Sequence, residues 1–289
     1  MTAKIIDGKH IAGLVRADWK IRADKLKAAG ITPRLAVIML GTNPASQLYV
    51  RNKIKACEDV GIHSDAHLLP VDTPQVDVLA LIDKLNADSR VHGILVQLPL
   101  PKQINVHTVI EHISLAKDVD GFSLYNVGGL VTGGTVFPPC TPYGVVCMLE
   151  YSNIPITEQN VVVVGMSNIV GKPMALMLMQ KEATVAICHV KTRDLAQFTI
   201  LADILVVAAG KPNLITAPMV RRGAVVIDVG INRLPDGRLV GDVDFESVKE
   251  KASYITPVPG GVGPMTVTML LCNTIQAAEH WAGKQGISV

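Results

Sequence analysis

Tyr49 and Lys53 lie four residues apart in Tyr49-Val-Arg-Asn-Lys53. On a helix that spacing puts a phenol and an ammonium on one face. A lysine pressed into an apolar, partly closed site holds its extra proton less firmly and can act as a base. Taken alone, the same lysine reads better as a surface cation. Gln97 stands where Gly93-Ile-Leu-Val-Gln97 runs into Leu98-Pro-Leu-Pro101. Its amide can orient Lys53 or a water, or simply close a strand. Asp120, in Lys117-Asp-Val-Asp120-Gly-Phe122, offers a carboxylate that can pair with an amino-heterocycle through two hydrogen bonds. A plain turn is the alternative there.

Two glycine-rich stretches could bind ligands through their backbone. Gly165-Met166-Ser167-Asn168-Ile169-Val170-Gly171-Lys-Pro173 follows the apolar run Val161–Val164. Gly165 permits a tight turn, Ser167 and exposed N–H groups can face a pyrophosphate, and Ile169 and Val170 complete the loop. Gly171 allows close packing, and Pro173 suits a first helical turn. Ser167 replaces the middle glycine of G-x-G-x-x-G, so the strand–turn–helix context carries the dinucleotide reading. An ordinary strand-to-helix loop competes with it. NAD-specific folds place an acid at the end of the next strand. Here Cys188-His189-Val190-Lys191-Thr192-Arg193 has none, and His189, Lys191, Thr192 and Arg193 suit the extra phosphate of NADP. The competing reading is a solvated basic loop. The second stretch is Pro259-Gly260-Gly261-Val262-Gly263-Pro264-Met265-Thr266, between a short strand at Tyr254–Thr256 and a helix predicted from Thr266 to Ala278. Backbone N–H groups there could hold an anion or a polarised ligand atom. A rigid inter-domain turn would look the same.

The elements that must position these residues alternate along the chain. Arg34–Leu40 is a continuous apolar run and predicts a buried parallel strand. A helix follows it, with Ser46 as a candidate N-cap and Gly61 as its end. His67–Leu69 closes a second strand. Thr73-Pro74 opens a helix with apolar residues at 76, 79, 82 and 85. Gly93–Gln97 is a third strand. The Gly- and Pro-rich stretch 121–142 carries a domain boundary, and a second series follows with strands at Val161–Val164, Thr184–Cys188, Ile204–Ala208 and Ala224–Asp228. Such spacing implies parallel pairing through crossovers.

Composition narrows the class. The 289 residues allow two domains, and 49% hydrophobic residues exclude a disordered chain. A net charge of +2 with scattered cations predicts no nucleic-acid surface. No apolar run approaches the ~20 residues needed to span a bilayer, and the start lacks an apolar h-region. Five cysteines without a CxxC pair read as free thiols of a cytoplasmic protein. His63 and His67 read as a surface pair, so no metal is expected.

Taken together, these motifs resemble the bifunctional methylenetetrahydrofolate dehydrogenase/methenyltetrahydrofolate cyclohydrolase family, from Ile6-Asp-Gly8 to about Ala278. The most specific are Tyr49–Lys53, Val96-Gln-Leu-Pro99, Lys117–Gly121, Pro139-Cys-Thr-Pro142, Ile227-Asp-Val-Gly-Ile-Asn232 and Pro259–Thr266. The resemblance implies two α/β domains with parallel sheets and a cleft between them. Residues 1–140, completed by a C-terminal helix at 270–289, would bind folate, and 141–269 would be a Rossmann domain for NADP. It implies Lys53 as the catalytic lysine, Tyr49 against the aminobenzoyl ring, Gln97 as the lysine's partner and Asp120 as the pterin's carboxylate. Gly165 to Ser167 and Ile231 match cofactor contacts. Gly260, Gly261, Gly263 and Pro264 would border nicotinamide and folate. It implies a homodimer as well. Met166 and Val190 depart from the family pattern, where an Arg or Ser commonly grips the cofactor phosphate. Two alternatives are a shikimate dehydrogenase-like NADP oxidoreductase and a non-catalytic dinucleotide-binding sensor. The sensor would not need Lys53, Gln97 and Asp120 together.

Overall fold

The computed structural model describes all residues except Met1 and Asn43, and leaves the side chains of Pro44, Ala45, Ser46, Leu48 and Tyr49 undescribed. The expectations placed on the Tyr49 phenol and the Ser46 cap therefore lie outside the described residues. The chain forms two compact units. One comprises Leu14–Cys140 and Val267–Val289, and contains Lys53; we call it the lysine unit. The other comprises Met1–Gly13 and Thr141–Thr266, and we call it the loop unit.

In chain order the elements begin with β1 (Lys4–Ile5) and α1 (Gly8–Ala28). Then come β2 (Arg34–Leu40), α2 (Pro44–Val60), β3 (His63–Leu69), α3 (Gln75–Ala87) and β4 (Gly93–Val96). The parallel sheet of the lysine unit has the order β3-β2-β4. Six of the seven β2 residues are buried, as a strand covered on both faces requires. Gly61, at φ +84°, ends α2 in a left-handed turn that a side chain would resist. On α3 the buried residues are Val78, Ile82 and Leu85, whereas Val76 is 68% exposed. The stripe predicted at 76, 79, 82 and 85 is thus corrected at its start. Pro74 is the cap, and the first turn of the helix turns Val76 to solvent. Those side chains join Ala36, Ile38, Ile94 and Val109 in one apolar core. Short helices α4 (Val106–His112) and α5 (Leu124–Thr132) complete the chain up to α6 (Cys140–Tyr151).

The loop unit holds β5 (Asn160–Val164), α7 (Gly171–Gln180), β6 (Thr184–Cys188), α8 (Ala196–Thr199), β7 (Ile204–Val207) and β8 (Val225–Asp228). A two-stranded ribbon, β9 (Asn232–Arg233) with β10 (Leu239–Val240), then α9 (Phe245–Val248) and β11 (Tyr254–Ile255) follow. The main sheet is six-stranded and parallel, in the order β1-β11-β8-β7-β5-β6. Alternate faces of its strands, with Val162, Val164, Leu205, Val207 and Val226, build the core.

Two boundaries differ from those read in the sequence. The first thirteen residues were expected in the N-terminal domain, but they group with the loop unit because β1 pairs with β11. A two-residue strand carries no periodic signal by which its partner could be read. The final helix, α10 (Val262–Lys284), begins four residues before the predicted Thr266. Gly263 and Pro264 lie in its first turn, where proline's missing N–H removes no helical hydrogen bond.

Candidate functional site

In the lysine unit, β2 is flanked by β3 and β4, reached by crossovers in opposite directions. The C-terminal end of such a strand is where open α/β sheets bind ligands. The helix leaving that end is α2, and it carries Lys53. The end of neighbouring β4 carries Gln97, whose N–H continues the ladder to the Ile38 carbonyl at 2.8 Å. Lys53 Nζ donates to Gln97 Oε1 at 3.0 Å, and Gln97 Nε2 donates to the Leu98 carbonyl at 2.7 Å. That second bond fixes which way the amide faces, so its oxygen is held toward the lysine.

The segment Lys117–Gly121 divides its work. Lys117 Nζ donates to the carbonyls of Leu85, Asn86 and Asp88, each at 2.8 Å, and so caps the end of α3. Buried Asp118 accepts from the N–H groups of Gly121, Phe122 and Ser123 and from Asn126 Nδ2. Asn126 Oδ1 in turn accepts from the N–H groups of Val136 and Phe137. Gly121 has φ +75°, and a Cβ on it would lie 2.5 Å from the Phe137 carbonyl oxygen. Only glycine serves there. Asp120 is left without a structural role in this frame. Desolvation pushes its carboxyl up to about 6, against the opposing pull of Lys53, while nearby Asp118 raises it and a hydrogen bond from Cys140 lowers it. Lys53, Gln97 and Asp120 thus come together as one half-buried group of a cation, an amide and an anion.

In the loop unit the corresponding strand is β5, flanked by β6 and β7. Gly165 follows it at φ +123°, and a Cβ there would overlap the Ala208 carbonyl. A Cβ on Gly171 would overlap the Gly165 carbonyl. Ser167 Oγ accepts from the N–H groups of Val170 (3.1 Å) and Gly171 (3.4 Å). Those two amides are therefore satisfied inside the loop and are not among the N–H groups that can face a pyrophosphate. The hydroxyl of Ser167 still has its proton to donate. Met166 and Ile169 are exposed beside it.

After β6, the His189 N–H donates to Thr192 Oγ1 (2.9 Å) and the Lys191 N–H to His189 Nδ1 (3.1 Å). The turn is held by its own side chains, with Lys191 and Arg193 in solvent and Val190 95% exposed. An exposed hydroxyl, apolar loop side chains and two free-standing cations beside the strand-order reversal fit a phosphorylated dinucleotide.

At the second glycine stretch, Gly260 has φ +109° and its carbonyl accepts from the Lys9 N–H at 3.1 Å. A Cβ on Gly8 would overlap the Gly261 carbonyl, and one on Gly263 would lie 3.7 Å from Ile231 Cδ1. Gly260, Gly261, Gly263 and exposed Ile231 therefore form one neighbourhood, with Pro264 in the adjoining helical turn. Two buried acids lie nearby, to which reading the sequence assigned no role. Asp228 accepts from the N–H groups of Gly230, Asp242 and Val243, and burial pushes it up to about 6. Asp242 accepts from the N–H groups of Ala209 and Gly210 and from Asn232 Nδ2. Together they tie down the loops after β7 and β8, on which Ile231 stands. An acid ending an apolar strand, as in Ile227-Asp228, was the available signal.

Residues 6–120 match the model of the tetrahydrofolate dehydrogenase/cyclohydrolase catalytic domain, and residues 139–282 match that of the same family's NAD(P)-binding domain. The bifunctional protein FolD of Nitrosospira multiformis is 63% identical over 280 residues, covering 97% of each chain. The crystal structure of the FolD dehydrogenase/cyclohydrolase from Campylobacter jejuni superposes with a TM-score of 0.95 at 51% identity, covering 96% of this chain and 99% of that one. The Trypanosoma brucei FolD, solved with NADP cofactor and inhibitor, gives 0.93 at 37% identity, covering 97% of this chain and 98% of that one. These matches favour the folate reading over the shikimate dehydrogenase-like and sensor alternatives. The chain belongs to the tetrahydrofolate dehydrogenase/cyclohydrolase family.

Proposed function

We propose that this chain oxidises methylenetetrahydrofolate to methenyltetrahydrofolate with NADP⁺ and hydrolyses the product to 10-formyltetrahydrofolate. The observation that carries the reading is the Lys53–Gln97 hydrogen bond beside the desolvated Asp120 carboxylate. Asp120 binds the amino edge of the pterin, and Tyr49 packs on the aminobenzoyl ring. NADP⁺, when bound, supplies the hydride acceptor. Loss of hydride leaves a methenyl cation shared by two nitrogens, so the protein's part in that step is to position the substrate. In hydrolysis, water adds to the cationic carbon and loses a proton. The bond from that carbon to N5 then breaks as the new hydroxyl gives up its proton to become the formyl carbonyl, and N5 takes up a proton, so that one proton is released overall. Lys53 handles these transfers, and Gln97 Oε1 holds the ammonium in place between them.

Gly165, Met166, Ser167, Ile169, Val170 and Ile231 hold the cofactor's body, and His189, Lys191, Thr192 and Arg193 select NADP by its extra phosphate. Gly260, Gly261, Gly263 and Pro264 border the nicotinamide and the folate. The chain works as a cytoplasmic homodimer. Its five buried free cysteines support a reducing compartment. The open edge of β6, near exposed Ile187, Phe198 and Leu201, supports pairing with a second copy; sedimentation at micromolar concentration tests it. For the activity, methylenetetrahydrofolate and NADP⁺ are mixed with the protein and followed by ultraviolet absorbance. NADPH and a transient methenyl band are expected, and the absence of both overturns the reading.

A further inference from the structure

We propose that Asn273 and Cys140 are positioning residues that hold Asp120 for the folate, an inference that rests on the function proposed above. Asn273 is wholly buried on α10, in the apolar run Met269-Leu-Leu-Cys-Asn273. Its Nδ2 donates to the Val119 carbonyl at 2.8 Å and the Pro138 carbonyl at 3.1 Å, and lies 3.7 Å from Cys140 Sγ. Cys140 Sγ has one proton to give, which it shares between the same Val119 carbonyl at 3.3 Å and the Asp120 side chain beside it. The peptide that leads into Asp120 is therefore held by two side chains, from a distant helix and from the Pro139-Cys-Thr-Pro142 segment.

Two features separate this from ordinary core packing. Asn273 Oδ1 is buried and has no hydrogen-bond partner among the described residues. A leucine there would spare the fold that orphaned acceptor, so the value of the residue lies on its donor side. The second feature is what surrounds Asp120. The charged and titratable groups facing it are Lys53 from α2, Asp118 from its own loop and Cys140 from the start of α6. Asn273 on α10 is neutral. Burial and Asp118 favour the protonated acid, while Lys53 and the thiol favour the carboxylate. Removing the thiol shifts Asp120 toward its protonated form, and so moves the acid limb of folate binding to higher pH.

The test is hydrolysis of methenyltetrahydrofolate by the full-length protein between pH 5.5 and 7.5, with Asp120→Ala, Cys140→Ala, Cys140→Ser and Asn273→Ala beside the wild type. Cys140→Ala and Asn273→Ala should raise KM for the folate roughly fivefold to tenfold, the size of one lost hydrogen bond, while kcat changes less than about twofold. KM for NADP⁺ in the coupled dehydrogenase assay should not move. The acid limb of Cys140→Ala should shift up, and Cys140→Ser, which keeps a donor, should restore it. A lower melting temperature with wild-type KM and an unmoved limb would mean a merely structural role and overturns the proposal. So does a serine variant no better than alanine. If Asn273→Ala fails to fold, the Cys140 pair decides alone. If Asp120→Ala itself keeps the wild-type KM, the proposed function of that carboxylate fails and the positioning role with it. If Asp120→Ala weakens binding and the other variants do not, only the positioning role fails.

Discussion

The lysine unit and the loop unit each place their candidate chemistry at the strand whose two neighbours are reached by opposite crossovers, but they build it from different materials. In the lysine unit the working groups are side chains drawn partly out of water, each held by others: Lys53 by Gln97, and Asp120 by a frame of Asp118, Asn126 and Gly121. In the loop unit the working surface is backbone, shaped by Gly165, Gly171 and Gly260, with its polar side chains in solvent. Desolvated charges are strong and specific, whereas exposed ones are screened. The contrast says that single side chains govern reaction in the first unit. In the second, backbone shape governs binding and side chains only bias the choice of cofactor.

Substitutions can break that contrast at either end. The largest effect belongs to Lys53→Met, which should abolish methenyl hydrolysis, a loss of at least ~100-fold, because Lys53 is the amine that Gln97 holds in place to move protons. It should also weaken the dehydrogenase. The check is the decay rate of the methenyl band at matched folding. Next comes Gly165→Ala. A methyl there overlaps the Ala208 carbonyl at a φ that side chains resist, so the expected cost is about 2–4 kcal/mol of stability together with loss of NADPH binding. Melting curves and NADPH fluorescence would show both, and an unperturbed variant would mean the loop is not shaped by its glycine.

Asp120 gives a smaller effect of two signs. Asp120→Ala should weaken folate binding by roughly 1–3 kcal/mol and leave cofactor binding intact, as calorimetry can determine. Wild-type folate binding should fall as the pH drops through about 6, where the carboxylate gains its proton. Stability runs the other way. The folded carboxyl titrates near 6, above its unfolded value of about 3.9, so ionisation opposes folding. That penalty is absent below about pH 4, grows as the pH rises, and is complete above about 6. Asp120→Asn should therefore raise the melting temperature at pH 7 and not at pH 4, while impairing folate binding at pH 7. The smallest effect is at the basic turn. Replacing both Lys191 and Arg193 by alanine should largely erase a preference for NADP⁺ over NAD⁺, and rising salt should erode it in the wild type. Equal use of NAD⁺ by the wild type at low salt would show that Met166 and Val190 are the better guide to cofactor choice.

Much of this was legible in the sequence. Apolar runs announced β2 and β5 because strands buried on both faces need no alternation. Lys53, Gln97 and Asp120 each had a bland reading alone, as a surface cation, a strand end and a turn; the family resemblance singled them out together, and the structure sets them side by side. The supporting residues were not legible. Asp118 sits two residues from Asp120 and looks like it, yet one acid is a buried frame and the other is the half-buried carboxyl beside Lys53. Only the path of the chain around Gly121 tells them apart. Asn273 interrupts an apolar helical run, a signal available in the sequence, but its partners at 119 and 138 are more than 130 residues away. Likewise the pairing of β1 with β11 joins opposite ends of the chain, which no local pattern encodes.

That last pairing bears on how the protein is made. The loop unit draws on residues 1–13 and on a stretch ending at 266, while the lysine unit needs 267–289 to complete it. Neither unit is therefore whole on a growing chain until nearly all of it has been synthesised, although domains with continuous sequences can fold one after another as they emerge. The N-terminal strand must wait for a partner made more than two hundred residues later. A ribosome stalled before residue 254 would display β1 without its partner and a lysine unit without its last helix, and cutting the gene at residue 140 would yield two fragments that each lack part of their own fold.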